Sequence, residues 1–259
     1  MAVKFTYYGG MCMLIERSDG FKILMDPYIT KNKQTQKEAK DFYDVDLIYV
    51  THKAGDHYGD VVELMENSKA MLVAPSDVII YVKKEAKIPL EEKKKDPENG
   101  RLFASAYGDE RVFGATHSHT VQAIHLSKGS VNGVPVYGVP SGFVLEVEPG
   151  VTYYHPGDTA LYGDIKLIRD LFHPNIMCVG IGGIKPLASR EMGPREAAIS
   201  CSWVGADIVI PTHYMEGGTD LEDFLRYMDA FYPQATILPD VEKPFYLIPT
   251  HVEPAQQEG

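Results

Sequence analysis

The chain has 259 residues, of which 44% are hydrophobic and 24% charged, a composition ordinary for a globular protein with a substantial core. Its formal net charge of −11 disfavours a nucleic-acid partner, because nucleic-acid binding needs a basic face. We expect a cytoplasmic protein without a membrane partner, since the chain shows no secretory signal pattern, no membrane-length apolar run and only three widely spaced cysteines.

Strands, turns and short helices alternate in the first half of the chain. Two apolar runs flank Ser18-Asp19-Gly20 and predict a β-hairpin over residues 11–25. The elements predicted next are a strand over 46–50, a short helix over 60–68, a strand over 70–74 and a helix from Ser76 to about Ala86. The Lys-rich segments 31–43 and 83–101 are interpreted as solvated loops or helices.

The second half repeats this order of β-rich segments followed by strand–helix units. Short strands with Gly and Pro turns are predicted over 111–149. The elements predicted after them are a helical stretch over 157–172, a strand over 175–179, a helix from Pro194 to about Val204, a strand over 208–210, a helix over 219–231 and two short strands near 237 and 245–248. We therefore predict one domain, 1–259, with two similar halves of roughly 1–125 and 126–250, built as two packed sheets with helices outside.

Metal-binding side chains follow three of the predicted strands. The segments that carry them are Thr51-His52-Lys53-Ala54-Gly55-Asp56-His57, His155-Pro156-Gly157-Asp158 and Pro211-Thr212-His213. Residues at strand ends gather on one edge of layered α/β folds, so we expect these side chains to surround a common cation. Imidazole and carboxylate groups together suit Zn, Mn or Fe(II), which activate water for hydrolysis. The sequence therefore predicts a metal-dependent hydrolase with one or two divalent metal ions.

The order of these motifs resembles that of the metallo-β-lactamase fold hydrolases, in particular the branch similar to L-ascorbate-6-phosphate lactonase. The resemblance covers nearly the whole chain and also rests on residues 8–16, 23–27, 115–118, 180–183, 192–198 and 210–214. It implies an α/β fold, an αββα sandwich of two mixed β-sheets with helices on the outer faces and metals held between loops at one edge. It also implies a small-molecule substrate, namely an ester, lactone or phosphoester, and it leaves a homo-oligomer open.

Residue by residue, the resemblance implies two sets of metal ligands that share one carboxylate. The first metal ion would be held by His52, His117 and bridging Asp158. The second would be held by Asp56, His57, His213 and the same Asp158. Asp56 is also the implied catalytic residue, because it would orient or deprotonate the attacking water.

The chain departs from the family motif His-x-His-x-Asp-His at Ala54, which offers no ligand atom. A tetrahedral site needs about four ligands, so we expect the first metal ion to be weakened. Three outcomes follow: a single metal ion in the second site, a replacement ligand, or a protein that binds without catalysis. His119 is the candidate replacement, because it shares a strand face with His117, although a lone histidine is more often structural.

Three further residues are placed outside the ligand set. Asp26, at the end of an early strand, either orients a ligand histidine or serves the turn before Pro27. His155 is assigned to packing or to a role behind the ligands. His125 is interpreted as a structural residue of an alternating strand.

Overall fold

The computed structural model describes residues 2–183 and 191–248, which form sixteen strands and six α-helices. The strands are β1 (Val3–Tyr7), β2 (Met13–Glu16), β3 (Lys22–Met25), β4 (Leu47–Tyr49), β5 (Met71–Pro75), β6 (Leu102–Ser105), β7 (Glu110–Phe113), β8 (Thr116–Gln122), β9 (Ser127–Val131), β10 (Val134–Gly138), β11 (Ser141–Glu148), β12 (Val151–His155), β13 (Ile176–Gly180), β14 (Ile208–Thr212), β15 (Thr236–Ile237) and β16 (Phe245–Leu247). The helices are α1 (Gly55–Tyr58), α2 (Val61–Asn67), α3 (Ser76–Glu85), α4 (Lys166–Phe172), α5 (Pro194–Val204) and α6 (Asp220–Phe231), with 3₁₀ turns at Ala39–Phe42 and Gly163–Ile165. No helix in these two ranges has the length and apolarity that a bilayer crossing requires.

Two mixed sheets of seven strands each organise the described chain. The first has the order β16-β1-β2-β3-β4-β5-β6 and is antiparallel up to β3 and parallel from β3 to β6. The second has the order β15-β14-β13-β12-β11-β8-β7 and is parallel from β15 to β12 and antiparallel beyond. Strands β9 and β10 form a separate hairpin. Each sheet therefore has a parallel half whose carboxyl ends lie at one edge.

Alternation along the strands builds the sandwich. Ile23 and Met25 on β3 face the core between the sheets, whereas Leu24 faces the helical layer of the first sheet. On β12, Tyr153 faces the same central core and Tyr154 faces α4, α5 and α6. Successive side chains of a strand point to opposite faces, so each sheet buries both faces. The predicted α/β fold with an αββα sandwich is confirmed.

The chain passes from the first sheet to the second between Ser105 and Glu110, and β16 returns to the first sheet. The predicted division near residue 125 falls after β7 and β8, which already belong to the second sheet. Residues 157–162 lack the predicted helix, because helix α4 begins only at Lys166, after the 3₁₀ turn. Those six residues instead form the loop that carries Asp158.

Candidate metal centre

The carboxyl ends of several strands meet at one edge of the sandwich and carry the site. Asp26 follows β3, His52 follows β4, Asp158 follows β12 and His213 follows β14. Strand β8 runs in the same direction as β12, because both are antiparallel to β11, and its carboxyl end leads to His125. Parallel strands end at a common edge, which explains why these distant residues are neighbours.

Close packing of two loops brings the two halves of the site together. Gly157 has φ +63°, and a Cβ atom there would lie 2.7 Å from the Cβ of Thr51. Only a glycine allows this approach without displacing Thr51, so the loop before Asp158 lies directly against the loop before His52. Two residues of the site also have left-handed backbones, Asp26 with φ 42° and His213 with φ 52°. Such strained conformations concentrate at functional sites.

Three groups of side chains offer donor atoms that lie within 4.8 Å of one another: His52, His125 and Asp158; Asp56, His57 and His213; and Asp158, Glu191 and His213. The carboxylate of Asp158 is central, with Oδ2 3.2 Å from His57 Nε2, 3.6 Å from His125 Nε2 and 3.9 Å from His52 Nε2. Its Oδ1 lies 3.6 Å from His213 Nδ1. Asp56 closes the second group, since its Oδ2 lies 3.0 Å from His213 Nε2.

Hydrogen bonds to His52 and His57 and an ion-pair contact to His213 position the rings of three histidines. Asp26 Oδ2 lies 2.8 Å from His57 Nδ1, and Glu191 Oε2 lies 2.7 Å from His213 Nδ1. The hydroxyl of Thr51 lies 3.1 Å from His52 Nδ1. A metal-binding histidine usually has its second ring nitrogen held in this way, which sets the tautomer and the ring direction.

Buried polar atoms without partners indicate that the donor set fits a cation. Within the described ranges, His52 Nε2 and Asp158 Oδ1 are buried and have no hydrogen-bond partner. Burying such atoms is costly unless something ligates them. Imidazole nitrogens and carboxylate oxygens that face one another form a donor set suited to Zn, Mn or Fe(II).

The charges of the site are strongly coupled. Burial, followed by the nearby His57 ring, lowers the pKa of His52 to about 3, so this imidazole is neutral and offers a lone pair. Burial opposes charge on His57, yet the carboxylates of Asp158 and Asp26 outweigh it and raise the His57 pKa well above its usual value. Although burial acts against it, Asp158 has a pKa well below the usual range because of His57 and His213. A bound cation would take the place of the protons on these rings.

The position of His117 corrects its predicted role as a ligand. His117 is exposed on β8, opposite Val112 of β7 and Glu146 of β11, and it belongs to none of the three groups. Thr116, Ser118 and Thr120 alternate with it and are buried. His117 therefore points to the opposite face of the sheet, far from the carboxyl end of the strand.

His119 also lies outside the centre, and His125 occupies the place predicted for His117. The His119 ring packs 4.8 Å from the ring of Phe172, which excludes it as the replacement for the missing ligand. His125 stands three residues beyond the end of β8 and was interpreted as structural. The strand-end criterion that selected His52 and His213 would have found it, had the end of β8 been placed correctly.

The residues behind the ligands behave largely as expected. Asp26 orients His57, as one of the two interpretations held, and it also accepts hydrogen bonds from the backbone and hydroxyl of Thr51, both at 2.8 Å. His155 is fully buried, with Nε2 2.9 Å from Asp26 Oδ2. Ala54 directly precedes helix α1, at its N-cap position, and its side chain brings no donor atom. Glu191 was missed, because it follows neither a strand nor a recognisable motif.

Comparison with known proteins places this geometry in a family. A model described as a beta-lactamase superfamily domain matches residues 4–213. A UPF0173 metal-dependent hydrolase of Anoxybacillus flavithermus is 34% identical over 82% of this chain and 86% of its own length. One of Pyrococcus horikoshii is 36% identical over 86% of this chain and 91% of its own length. The chain belongs to the UPF0173 metal-dependent hydrolase family. The predicted metallo-β-lactamase resemblance is thereby confirmed, while the likeness to L-ascorbate-6-phosphate lactonase stays a prediction.

Solved structures agree with this family at the level of the fold. The metallo hydrolase Igni18 of Ignicoccus hospitalis superposes with a TM-score of 0.75 at 22% identity, over 96% of this chain and 99% of that one. The metallo-beta-lactamase fold protein YhfI of Bacillus subtilis gives 0.69 at 13% identity, over 95% and 100%. The UPF0173 chain therefore keeps the sandwich of proteins with very different sequences.

Proposed function

We propose that this UPF0173 protein hydrolyses a small ester, lactone or phosphoester with water activated at a divalent cation. The observation that carries the proposal is the position of Asp158, whose carboxylate lies between the donor nitrogens of His52, His57 and His125. A bound cation would supply Lewis acidity and bring the pKa of water toward neutrality. A small-molecule substrate and a cytoplasmic location remain part of this proposal.

Asp56 is suited to handle the proton of the attacking water. A hydrogen bond from His213 is the largest cause that lowers the pKa of Asp56 to about 2, so its carboxylate is ionised at neutral pH. Its side chain is 47% exposed, beside a cavity of about 300 Å³ whose walls include Tyr28, Asn32 and Tyr214. Asp56 therefore stands between the buried donors and the space open to a substrate, where it can orient water or accept a proton.

Two metal ions of unequal affinity fit the donor set. Asp56, His57 and His213 form one group of donors, and the resemblance implies that Asp158 adds a fourth ligand, which would suffice for a tetrahedral site. His52, His125 and Asp158 provide only three to the other, since Ala54 contributes nothing. We infer that one ion binds tightly and the second weakly, with Zn, Mn and Fe(II) all compatible with imidazole and carboxylate ligands.

A protein that binds without catalysis is the alternative, and the same donors argue against it. Such a protein would use the carboxylates behind His57 and His213 for metal binding, but it has no need for an exposed, ionised Asp56 at the cavity. We prefer hydrolysis because this arrangement supports both cation binding and proton transfer.

The proposal is tested by metal reconstitution followed by assays of three bond types. The purified protein is loaded with Zn²⁺, Mn²⁺ or Fe²⁺, and bound metal is counted by mass spectrometry. Turnover is then measured on p-nitrophenyl acetate, dihydrocoumarin and bis-p-nitrophenyl phosphate, with the Asp158→Asn variant as control. Bound metal with turnover that the control lacks supports the hydrolase. Bound metal without any turnover, or no bound metal after reconstitution, contradicts the hydrolase and supports the binding protein.

A further inference from the structure

A second cavity lies where the β9–β10 hairpin covers the start of helix α3. Its volume is about 450 Å³, within the range of small-molecule sites. Apolar and aromatic side chains form most of its wall: Ile80, Tyr107, Val136, Tyr137 and Val139. Within the described ranges, it shares no lining residue with the cavity beside Asp56 and His213. The two cavities are therefore separate sites.

The mouth of this second cavity is unusually apolar for a protein surface. Tyr137 is 66% exposed, Val139 is 60% exposed and Ile80 is 49% exposed. Single exposed apolar residues are common, but several around one concave surface mark a site that binds something apolar. Val136 and Tyr137 in this wall belong to the β9–β10 hairpin. Tyr81 of helix α3 holds the hairpin by a 3.1 Å hydrogen bond from its hydroxyl to the carbonyl oxygen of Val136.

One carboxylate at the floor of the cavity, that of Asp77, forms no direct ion pair within the described residues. Asp77 is 4% exposed, and Ser127 donates its hydroxyl hydrogen bond to Asp77 Oδ2. Asp77 Oδ1 and the hydroxyl oxygen of Ser105, which lines the same cavity, are buried without hydrogen-bond partners in the part of the chain that the structure describes. The ammonium of Lys53 makes its direct contacts with other residues, 3.8 Å from Glu85 and 3.5 Å from the ring centre of Tyr58, and it acts on Asp77 only as a charge without an ion-pair contact. A buried carboxylate with one free oxygen is unfavourable until a cation or a donor meets it.

We propose that this cavity binds a small amphipathic amine, with the ammonium group at Asp77 and the apolar body between Tyr107, Tyr137 and Val139. An ammonium group would form the direct ion pair that Asp77 lacks and would donate a hydrogen bond to the hydroxyl oxygen of Ser105. A carboxylate ligand would meet repulsion from Asp77, and a neutral alcohol would lack the ion pair. The ligand is therefore a monoamine with an aromatic or aliphatic body.

The site lies one hydrogen bond away from two segments of the metal centre. The hydroxyl oxygen of Ser127, which bonds Asp77, also accepts a 3.1 Å hydrogen bond from the backbone N–H of Lys53. Lys53 follows His52 directly, and Ser127 is two residues beyond His125. The amine site nevertheless stands without the proposed hydrolysis, because it rests on groups that are not metal ligands.

Equilibrium binding to the intact, metal-loaded protein tests the proposal. We expect 2-phenylethylamine to bind saturably in calorimetric titration at neutral pH, and 2-phenylethanol and phenylacetate to bind at least about tenfold more weakly. Asp77→Asn should weaken the amine by about tenfold or more, while Asp170→Asn, a matched change at an exposed position, should leave it unchanged. Val139→Trp, on the exposed wall, should block the amine without disturbing the fold, which circular dichroism checks.

Three outcomes would overturn the amine site. One is the absence of saturable binding to the unaltered protein. Another is equal affinity for the amine and the alcohol. The third is binding that survives both Asp77→Asn and Val139→Trp but disappears in Glu191→Gln, because the amine would then lie at the acidic metal centre. None of these results depends on whether the protein hydrolyses the test esters.

Discussion

The two sides of the metal centre share Asp158 but hold their histidines differently. On one side, carboxylates stand behind the rings: Asp26 lies 2.8 Å from His57 Nδ1 and Glu191 lies 2.7 Å from His213 Nδ1. On the other side, His52 Nδ1 has a hydroxyl at 3.1 Å, and His125 Nδ1 has no hydrogen-bond partner among the described residues. A carboxylate partner orients an imidazole and makes it a stronger ligand than a hydroxyl does.

This difference indicates which side of the centre binds its cation more weakly. This chain has Ala54 where the family motif has its second histidine. The missing ligand belongs to the side of His52 and His125. That side also has the weaker outer support, so the two deficits coincide. We therefore expect the side of Asp56, His57 and His213 to bind its cation first, and the predictions below test this asymmetry.

Asp158→Asn should have the largest effect, because it weakens both sides at once. We expect metal affinity to fall by more than about 100-fold and hydrolysis to fall to background. The loss of affinity should exceed the one caused by removing a hydrogen-bond partner behind a ligand, which is about 10–100-fold. Metal titration and the p-nitrophenyl acetate assay measure the two quantities. Loss of one bound ion only would mean that Asp158 does not bridge the two sides.

His125→Ala should remove the weakly bound ion and leave the tight one. The change takes away one of only three donors on that side, while Asp56, His57 and His213 stay in place. His117→Ala is the matched control, and it should change neither metal content nor stability by more than about 0.5 kcal/mol, because His117 is exposed. Metal content by mass spectrometry decides between the two histidines. Metal loss in His117→Ala would restore the original prediction.

The sequence could predict the fold and five of the ligand candidates for one physical reason. Hydrophobic runs ending in His or Asp mark both the strands and the edge at which they stop, as at His52 and His213. The same edge brings in Asp158 from a loop whose glycine packs on Thr51. Helix α5 likewise begins at the predicted Pro194, which fixes the first turn.

The sequence could not distinguish His117 from His125, because β8 is polar on both faces. Its buried side chains are Thr116, Ser118 and Thr120, so no hydrophobic contrast shows which residues point inward. Without that contrast, neither the face nor the end of the strand could be assigned. Glu191 was beyond prediction for another reason, since its contact with His213 joins two loops that share no pattern.

Asp26→Asn should weaken the tightly bound ion by roughly 10–100-fold and the weak one by less. The amide keeps the shape of the side chain but no longer offers two carboxylate oxygens to His57, His155 and Thr51. Asp46→Asn is the matched control. Asp46 also accepts a backbone hydrogen bond, at 2.8 Å from Lys22 N, but it lies at the end of β4 opposite the metal centre. Metal titration at fixed pH measures both. An equal effect on the two ions would remove the asymmetry proposed here.

Ala54→His should act in the opposite direction and add a donor to the weak side. We expect metal content to rise from one ion toward two per chain, with a smaller change at the tight side. The measurement is stoichiometry by mass spectrometry at a free Zn²⁺ concentration that loads only the tight side of the unaltered protein. Ala54→Gln controls for added bulk at the start of helix α1, since an amide is a poor zinc ligand. An unchanged stoichiometry would mean that the weak side is already complete.

The smallest expected effect concerns the metal-free protein. Protonation of His213 on one side and of His52 on the other should change the free energy of unfolding with pH in opposite directions. Burial acts against charge on His213, yet Asp158, Asp56 and Glu191 raise its pKa to about 10, so its stabilising contribution is complete below about pH 6.5 and is lost as the pH rises toward 10. Burial lowers the pKa of His52 to about 3, so its protonation has no effect on stability above about pH 6.5 and increasingly destabilises the folded state as the pH falls from there toward 3.

We therefore expect the free energy of unfolding of the chelator-treated protein to decline on both sides of about pH 6.5, by at most about 1.4 kcal/mol per pH unit for each proton involved. Urea titrations at intervals of about one pH unit between pH 5 and pH 9 measure this free energy of unfolding. His213→Gln should flatten the alkaline decline and His52→Gln the acidic one, while bound metal should flatten the alkaline decline because it replaces the proton on His213. A single slope of one sign across the whole range would show that the two sides titrate alike, which would contradict the difference in how their histidines are held.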